Sequence, residues 1–141
     1  MKKIIILLIF SILFFPQCLK FSKKNGNANN NQDTSLMNKN GNGIDFEKLR
    51  SVVDNSNSID LDVFVAISLL HKNYISQFTN ETANMTEDQQ KKYFEQKKKE
   101  FFKTIKYTEA QYNAYIVANL DKINEYIASH KEIGEFLTSI N

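Results

Sequence analysis

The chain has 141 residues, 42% of them hydrophobic, with 18 basic and 16 acidic side chains, a single cysteine, a single proline and no tryptophan. That length leaves room for one small domain, and a lone cysteine excludes an intramolecular disulfide. A formal charge of +2 gives no whole-molecule attraction to nucleic acid, so none is expected as a partner.

Lys2 and Lys3 form a positive head, and Ile4 to Phe15 follows as an apolar run interrupted only by Ser11. The run fits the hydrophobic region of a secretory signal and falls short of the ~18 residues that a membrane-spanning helix needs. Pro16 breaks a helix at this point and leaves the following residues extended for a protease. Two modes of processing stay open. An ordinary signal peptidase wants small residues at −3 and −1, and no such pair closes this run. The other mode is cleavage before a lipid-modified cysteine.

Phe14-Phe15-Pro16-Gln17-Cys18 resembles a bacterial lipobox of the spirochaete type, which tolerates bulky and polar residues before the cysteine. The resemblance covers the signal, the cysteine and the polar stretch after it. It implies a signal peptide over residues 1–17 and a lipoprotein carrying a diacylglyceryl thioether and an acylated amine, palmitate-like chains, on Cys18. Each buried methylene contributes ~0.8 kcal/mol, so several chains anchor stably where one does not. Leu19 stands where the Asp of inner-membrane retention would be, so the outer membrane is the expected address; sorting in spirochaete-type cells need not obey that rule, so inner against outer membrane, and periplasmic against surface face, stay open. Loss of Lys2 and Lys3 leaves 16 basic side chains against the 16 acidic ones, a neutral processed chain.

Residues 18–43 form the expected tether. Asn, Gly, Ser and Lys dominate it, with too little apolar surface to offset the entropy of ordering. Without proline it should behave as a flexible coil with a reach of ~25–30 Å.

From Ile44 the apolar period becomes helical. Ile44, Phe46, Leu49, Val52 and Val53 mark a first helix, closed by the turn-rich residues Asp54 to Ser58. A second helix spans about Asp60 to Phe78, with Phe64, Ile67, Leu70, Tyr74, Ile75 and Phe78 at three- and four-residue steps and with Asp60 and Asp62 at its dipole-positive end. Thr86 with Gln89, Thr108 with Gln111 and Ser129 with Glu132 have the spacing of capping boxes. The stripe Ile116, Leu120, Ile123, Ile127 would run onto His130 and Gly134, but resumes at Ile133, Phe136, Leu137 and Ile140, so a break falls near Ser129-His130. No stretch alternates with strand period. The expected fold is an all-α bundle of four to five helices over residues 44–141.

Met85-Thr86-Glu87-Asp88-Gln89 and Tyr107-Thr108-Glu109-Ala110-Gln111 resemble the Leu-Thr-x-x-Gln signature of Spy/CpxP-type periplasmic proteins, with Met85 and Tyr107 at the Leu position. That resemblance implies a curved helical hairpin that holds unfolded clients or senses envelope stress.

The third helix carries Lys91, Lys92, Lys97, Lys98, Lys99, Lys103 and Lys106 against Glu87, Asp88, Glu95 and Glu100, and Glu87–Lys91 and Glu95–Lys99 are spaced to pair. Lys91, Lys92, Lys98, Lys99 and Lys103 form the candidate polyanion-binding face; the plainer reading is a solvated surface. The six tyrosines serve the core and its edge, or a recognition surface. His71 and His130 lack partners at metal-ligand spacing and are expected at the solvent or the core edge. No nucleophile–base arrangement or phosphate loop occurs, so neither catalysis nor a cofactor is expected. A hydrolase would require a polar pocket gathering His71 with carboxylates. The expected function is a membrane-anchored lipoprotein whose small helical domain binds a protein or polyanion at the cell envelope; the alternative is a Spy/CpxP-like chaperone or stress sensor.

Overall fold

The computed structural model describes residues 43–139. The expected signal peptide over residues 1–17, Cys18 and the rest of the tether up to residue 42 lie outside the described residues, as does Ile140. Five α-helices and one short 3-10 turn make up the described domain, an all-α bundle without a strand element among the described residues.

Gly43 enters with φ +125°, a conformation that residues with a Cβ rarely adopt. Helix α1 (Phe46–Asn55) starts where the Asp45 carboxylate accepts the Lys48 backbone N–H at 3.0 Å. Its apolar positions put Leu49 and Val53 fully inside. Helix α2 (Leu61–Ser76) is capped by Asp60, which accepts the Val63 N–H at 2.9 Å. Every residue from Val63 to Leu69 is buried. A helix apolar around its whole circumference must be surrounded, and all four other helices contact α2.

After the 3-10 turn Thr79–Thr82, helix α3 (Glu87–Phe102) opens with a complete Thr86–Gln89 capping box. The buried Gln90 side chain donates to the Thr82 carbonyl at 2.9 Å and holds the turn to the helix. Helix α4 (Glu109–Ser129) opens with a second complete box, Thr108–Gln111. Both caps fall where the sequence places them.

The third does not. Helix α5 (Lys131–Thr138) starts at His130, without a side-chain cap. Ser129 is the last residue of α4, and its hydroxyl donates back to the Tyr126 carbonyl at 2.9 Å. The break at Ser129-His130 is real, but Ser129 lies one residue too early to cap α5. Across it, a Cβ on Gly134 would lie 3.2 Å from Ile127 Cγ2, so the glycine permits the close approach of α5 to α4.

Helix α4 also carries a kink absent from the sequence reading. Asn119 has φ −132° and ψ 23°, and its side-chain amide donates to the Tyr115 carbonyl at 3.1 Å. A side chain inserted into the helical ladder in this way is a recognised cause of bending. The kink divides the expected stripe: Ile123 is buried, Ile116 and Ile127 are half-buried, and Leu120 is 45% exposed.

Aromatic rings fill much of the space between α2, α3 and α4. Phe64 stacks on Tyr112 and Tyr115 at 5.0 and 5.4 Å, and Tyr112 meets Phe102 at 5.6 Å. Phe101 then contacts His71 at 5.0 Å and Tyr74 at 5.8 Å, and Tyr74 meets Phe78 at 5.1 Å. Such contacts add about 0.5–1.5 kcal/mol per pair to area burial. Tyr107 and Tyr112 are buried, whereas Tyr74, Tyr93, Tyr115 and Tyr126 are half-buried, the core and core-edge use expected of them.

Candidate functional site

Helix α3 decides which lysines face water. At 100° per residue, Lys92, Lys99 and Lys103 fall within about 40° of one another, along roughly 16 Å of axis. All three are exposed, as is Lys91 beside them. Among the described residues none of these four side chains makes a hydrogen bond or ion pair. The anticipated Glu87–Lys91 and Glu95–Lys99 pairs do not form.

Lys98 departs from the expected face. Its ammonium sits 3.1 Å from Glu95 and 2.8 Å from Glu109, and its side chain is only 13% exposed. Position 98 lies about 100° round the helix from Lys99, toward the start of α4, so the intended partner of Glu95 is displaced by a neighbour that can bridge two helices. Burial works to lower the Lys98 pKa, but the hydrogen bonds the ammonium donates to Glu109 and Glu95 outweigh it and hold it above its ordinary range. Lys98 is a structural cation and leaves the candidate binding face.

The other cations near α3 are similarly engaged. Lys97 pairs with Glu100 at 2.9 Å and lies 4.3 Å above the Phe78 ring. Lys106 donates to the carbonyls of Asp54, at 3.0 Å, and Ser56. Arg50 donates to the Thr104 carbonyl and, at 3.2 Å, to Asp54. These contacts tie the α3–α4 connection to α1.

The charge pattern is uneven. Residues 87–106 hold seven lysines against four carboxylates, whereas the rest of the described residues hold eleven acidic against five basic side chains. The free lysines therefore form a local positive strip on a domain that is otherwise acidic.

Both histidines are expected from the sequence at the solvent or the core edge, but His71 lies inside. The side chain is buried, 7% exposed, because it follows directly on the all-round apolar segment of α2. Burial, and secondarily the Lys98 charge, pull its pKa from 6.5 down to about 4. Its ring lies against Phe101 and Phe102 rather than in a polar pocket with carboxylates. His130 is exposed and stacks on Tyr126 at 3.9 Å. Lys72 is also buried; its ammonium donates to the Ser139 carbonyl at 2.6 Å, and desolvation lowers its pKa. The apolar run from Val63 to Ile67 was the signal that this helix is central and that the residues after it would be drawn inside.

Among the described residues no three His, Cys, Asp or Glu side chains converge as metal ligands, and no helix is long and apolar enough to cross a membrane. Cys18 lies outside the described residues. No family model, curated protein or solved structure matches the chain.

Proposed function

We propose that this chain is a membrane-anchored lipoprotein, held through acyl chains on Cys18, whose helical domain binds an anionic partner at the cell envelope without catalysing a reaction. The export signal and the Phe15-Pro16-Gln17-Cys18 box support the anchor, and the outer membrane is the proposed address. One observation carries the binding reading: Lys91, Lys92, Lys99 and Lys103 are exposed on α3 without a counter-ion among the described residues. Lysine ammonium groups left without an ion pair keep their charge available to an external polyanion. The two Thr-x-x-Gln segments close capping boxes, a use that accounts for their spacing without a chaperone's client site.

Retention on immobilised inorganic polyphosphate tests the reading. The wild-type chain is expected to bind at low salt and to elute near physiological ionic strength, where the screening length is about 8 Å. At about 0.2–1 kcal/mol per exposed contact, the triple variant Lys92→Glu, Lys99→Glu, Lys103→Glu should bind roughly tenfold more weakly. Equal retention of wild type and variant would remove the strip as a binding surface.

A further inference from the structure

His71 lies at the contact between α2 and α3, with its ring centroid 5.0 Å from that of Phe101 and 6.1 Å from that of Phe102. Its Nε2 is buried and has no hydrogen-bond partner among the described residues. A neutral imidazole with Nε2 unprotonated fits this apolar site, since the nitrogen then carries no proton that needs an acceptor. We propose that His71 is an acid-sensitive latch, which holds α3 against α2 while the ring is neutral and loosens the contact when the ring takes up a proton.

The surroundings oppose the charged ring from each element packed against it. On α3, Lys98 is the charge that acts on His71, and it repels an imidazolium; Phe101 and Phe102 offer no acceptor in the ring plane. Glu95 on α3 and Glu109 on α4 are both engaged by Lys98. Glu100, further along α3, accepts from Lys97 and from the Tyr74 hydroxyl. Tyr112 on α4 reaches the cluster through Phe102, and burial keeps its phenol protonated. On α2 itself, Lys72 is a second buried cation, bonded to the Ser139 carbonyl. A proton on Nε2 would thus add a buried, unsatisfied donor and a third positive charge to this region.

The direction follows from linkage. The ring is held at about 4 in the closed bundle against 6.5 in the open chain. Well above pH 6.5 both forms are neutral and the contact has its full strength. As the pH falls, the open form binds the proton first, so stability declines progressively until the closed form is itself protonated near pH 4. The closed-to-open ratio falls about 30-fold by pH 5 and about 300-fold at the lower limit.

The test uses the full chain in detergent micelles. Amide-exchange protection factors in α3, Glu87 to Phe102, are measured at pH 7.5 and pH 5.0 for wild type, His71→Phe and His71→Gln. Wild type is expected to lose about 30-fold of its protection, while both variants lose far less. The His71 Cε1–H resonance should show a neutral ring at pH 5.5 in the native protein. In Lys98→Met its titration should move upward, a shift that a purely steric role for His71 would not produce. The same loss of protection in wild type and variants, or titration of the native ring at the ordinary 6.5, overturns the proposal. If neither variant folds, the wild-type ring titration decides.

Discussion

The hydroxyl pair that joins α2 to α4 sets up an asymmetric prediction. Ser68 donates to the Phe64 carbonyl at 2.8 Å, and its oxygen lies 2.7 Å from the Tyr112 hydroxyl, in a buried site. Because the serine proton is committed to Phe64, Tyr112 must be the donor between them. Tyr112→Phe then removes one donor and leaves Ser68 with its own bond, at a cost of about 1 kcal/mol. Ser68→Ala instead strands a buried tyrosine hydroxyl, at a cost of about 2 kcal/mol, although alanine is the better helix former. The double variant should cost less than the two singles together, with a coupling near 1 kcal/mol. Urea unfolding followed by circular dichroism at pH 7.5 measures all three, with unchanged slopes confirming that only stability has moved. For a domain of this size, ~1 kcal/mol corresponds to a shift of about 4–8 °C in Tm. Tyr112→Phe costing more than Ser68→Ala, or strict additivity, would refute the hydrogen-bond assignment.

Other substitutions probe the remaining elements. Thr86→Ala and Thr108→Ala should each cost about 1 kcal/mol in thermal or urea unfolding, whereas Ser129→Ala, which removes no cap, should stay within about 0.5 kcal/mol. Lys98→Ala should lose about 1 kcal/mol, because Glu95 and Glu109 share that shielded cation; Lys99→Ala should leave unfolding unchanged and weaken only polyphosphate retention. Phe101→Ala should cost about 3–5 kcal/mol, since the ring is 3% exposed and touches His71, Tyr74 and Phe102.

Local chemistry explains how far the sequence could be read. Asp60, Thr86 and Thr108 announce helix starts because a cap needs only a short side chain and the backbone beside it. The helical period of Phe64, Ile67 and Ile75 survives folding for the same reason: one helix sets it alone. Features that depend on a second helix were hidden. Lys98 and Lys99 are equivalent in sequence, and only the position of Glu109 on α4 draws the first inward. His71 is buried against Phe101 and Phe102 of α3, which no pattern around residue 71 records, although the preceding apolar run from Val63 to Ile67 marks the helix as central. At Asn119 a polar residue occupies the inward stripe, and its amide's choice of the Tyr115 carbonyl over water bends the helix. Leu120, at the edge of that stripe, is 45% exposed, and Val117, on the outer face, is 84% exposed.

For the strip, sequence composition supplied the excess of lysine and the fold divided it. Lys91, Lys92, Lys99 and Lys103 remain exposed, while Lys97, Lys98 and Lys106 stabilise neighbouring carboxylates and carbonyls.

The most direct test of the membrane-anchored reading is intact-mass spectrometry of the chain purified from its native host. The mature protein should begin at Cys18 and carry the added mass of a diacylglyceryl group and an amide-linked acyl chain. A mature chain that retains an unmodified Cys18, or that begins beyond it, would contradict the reading.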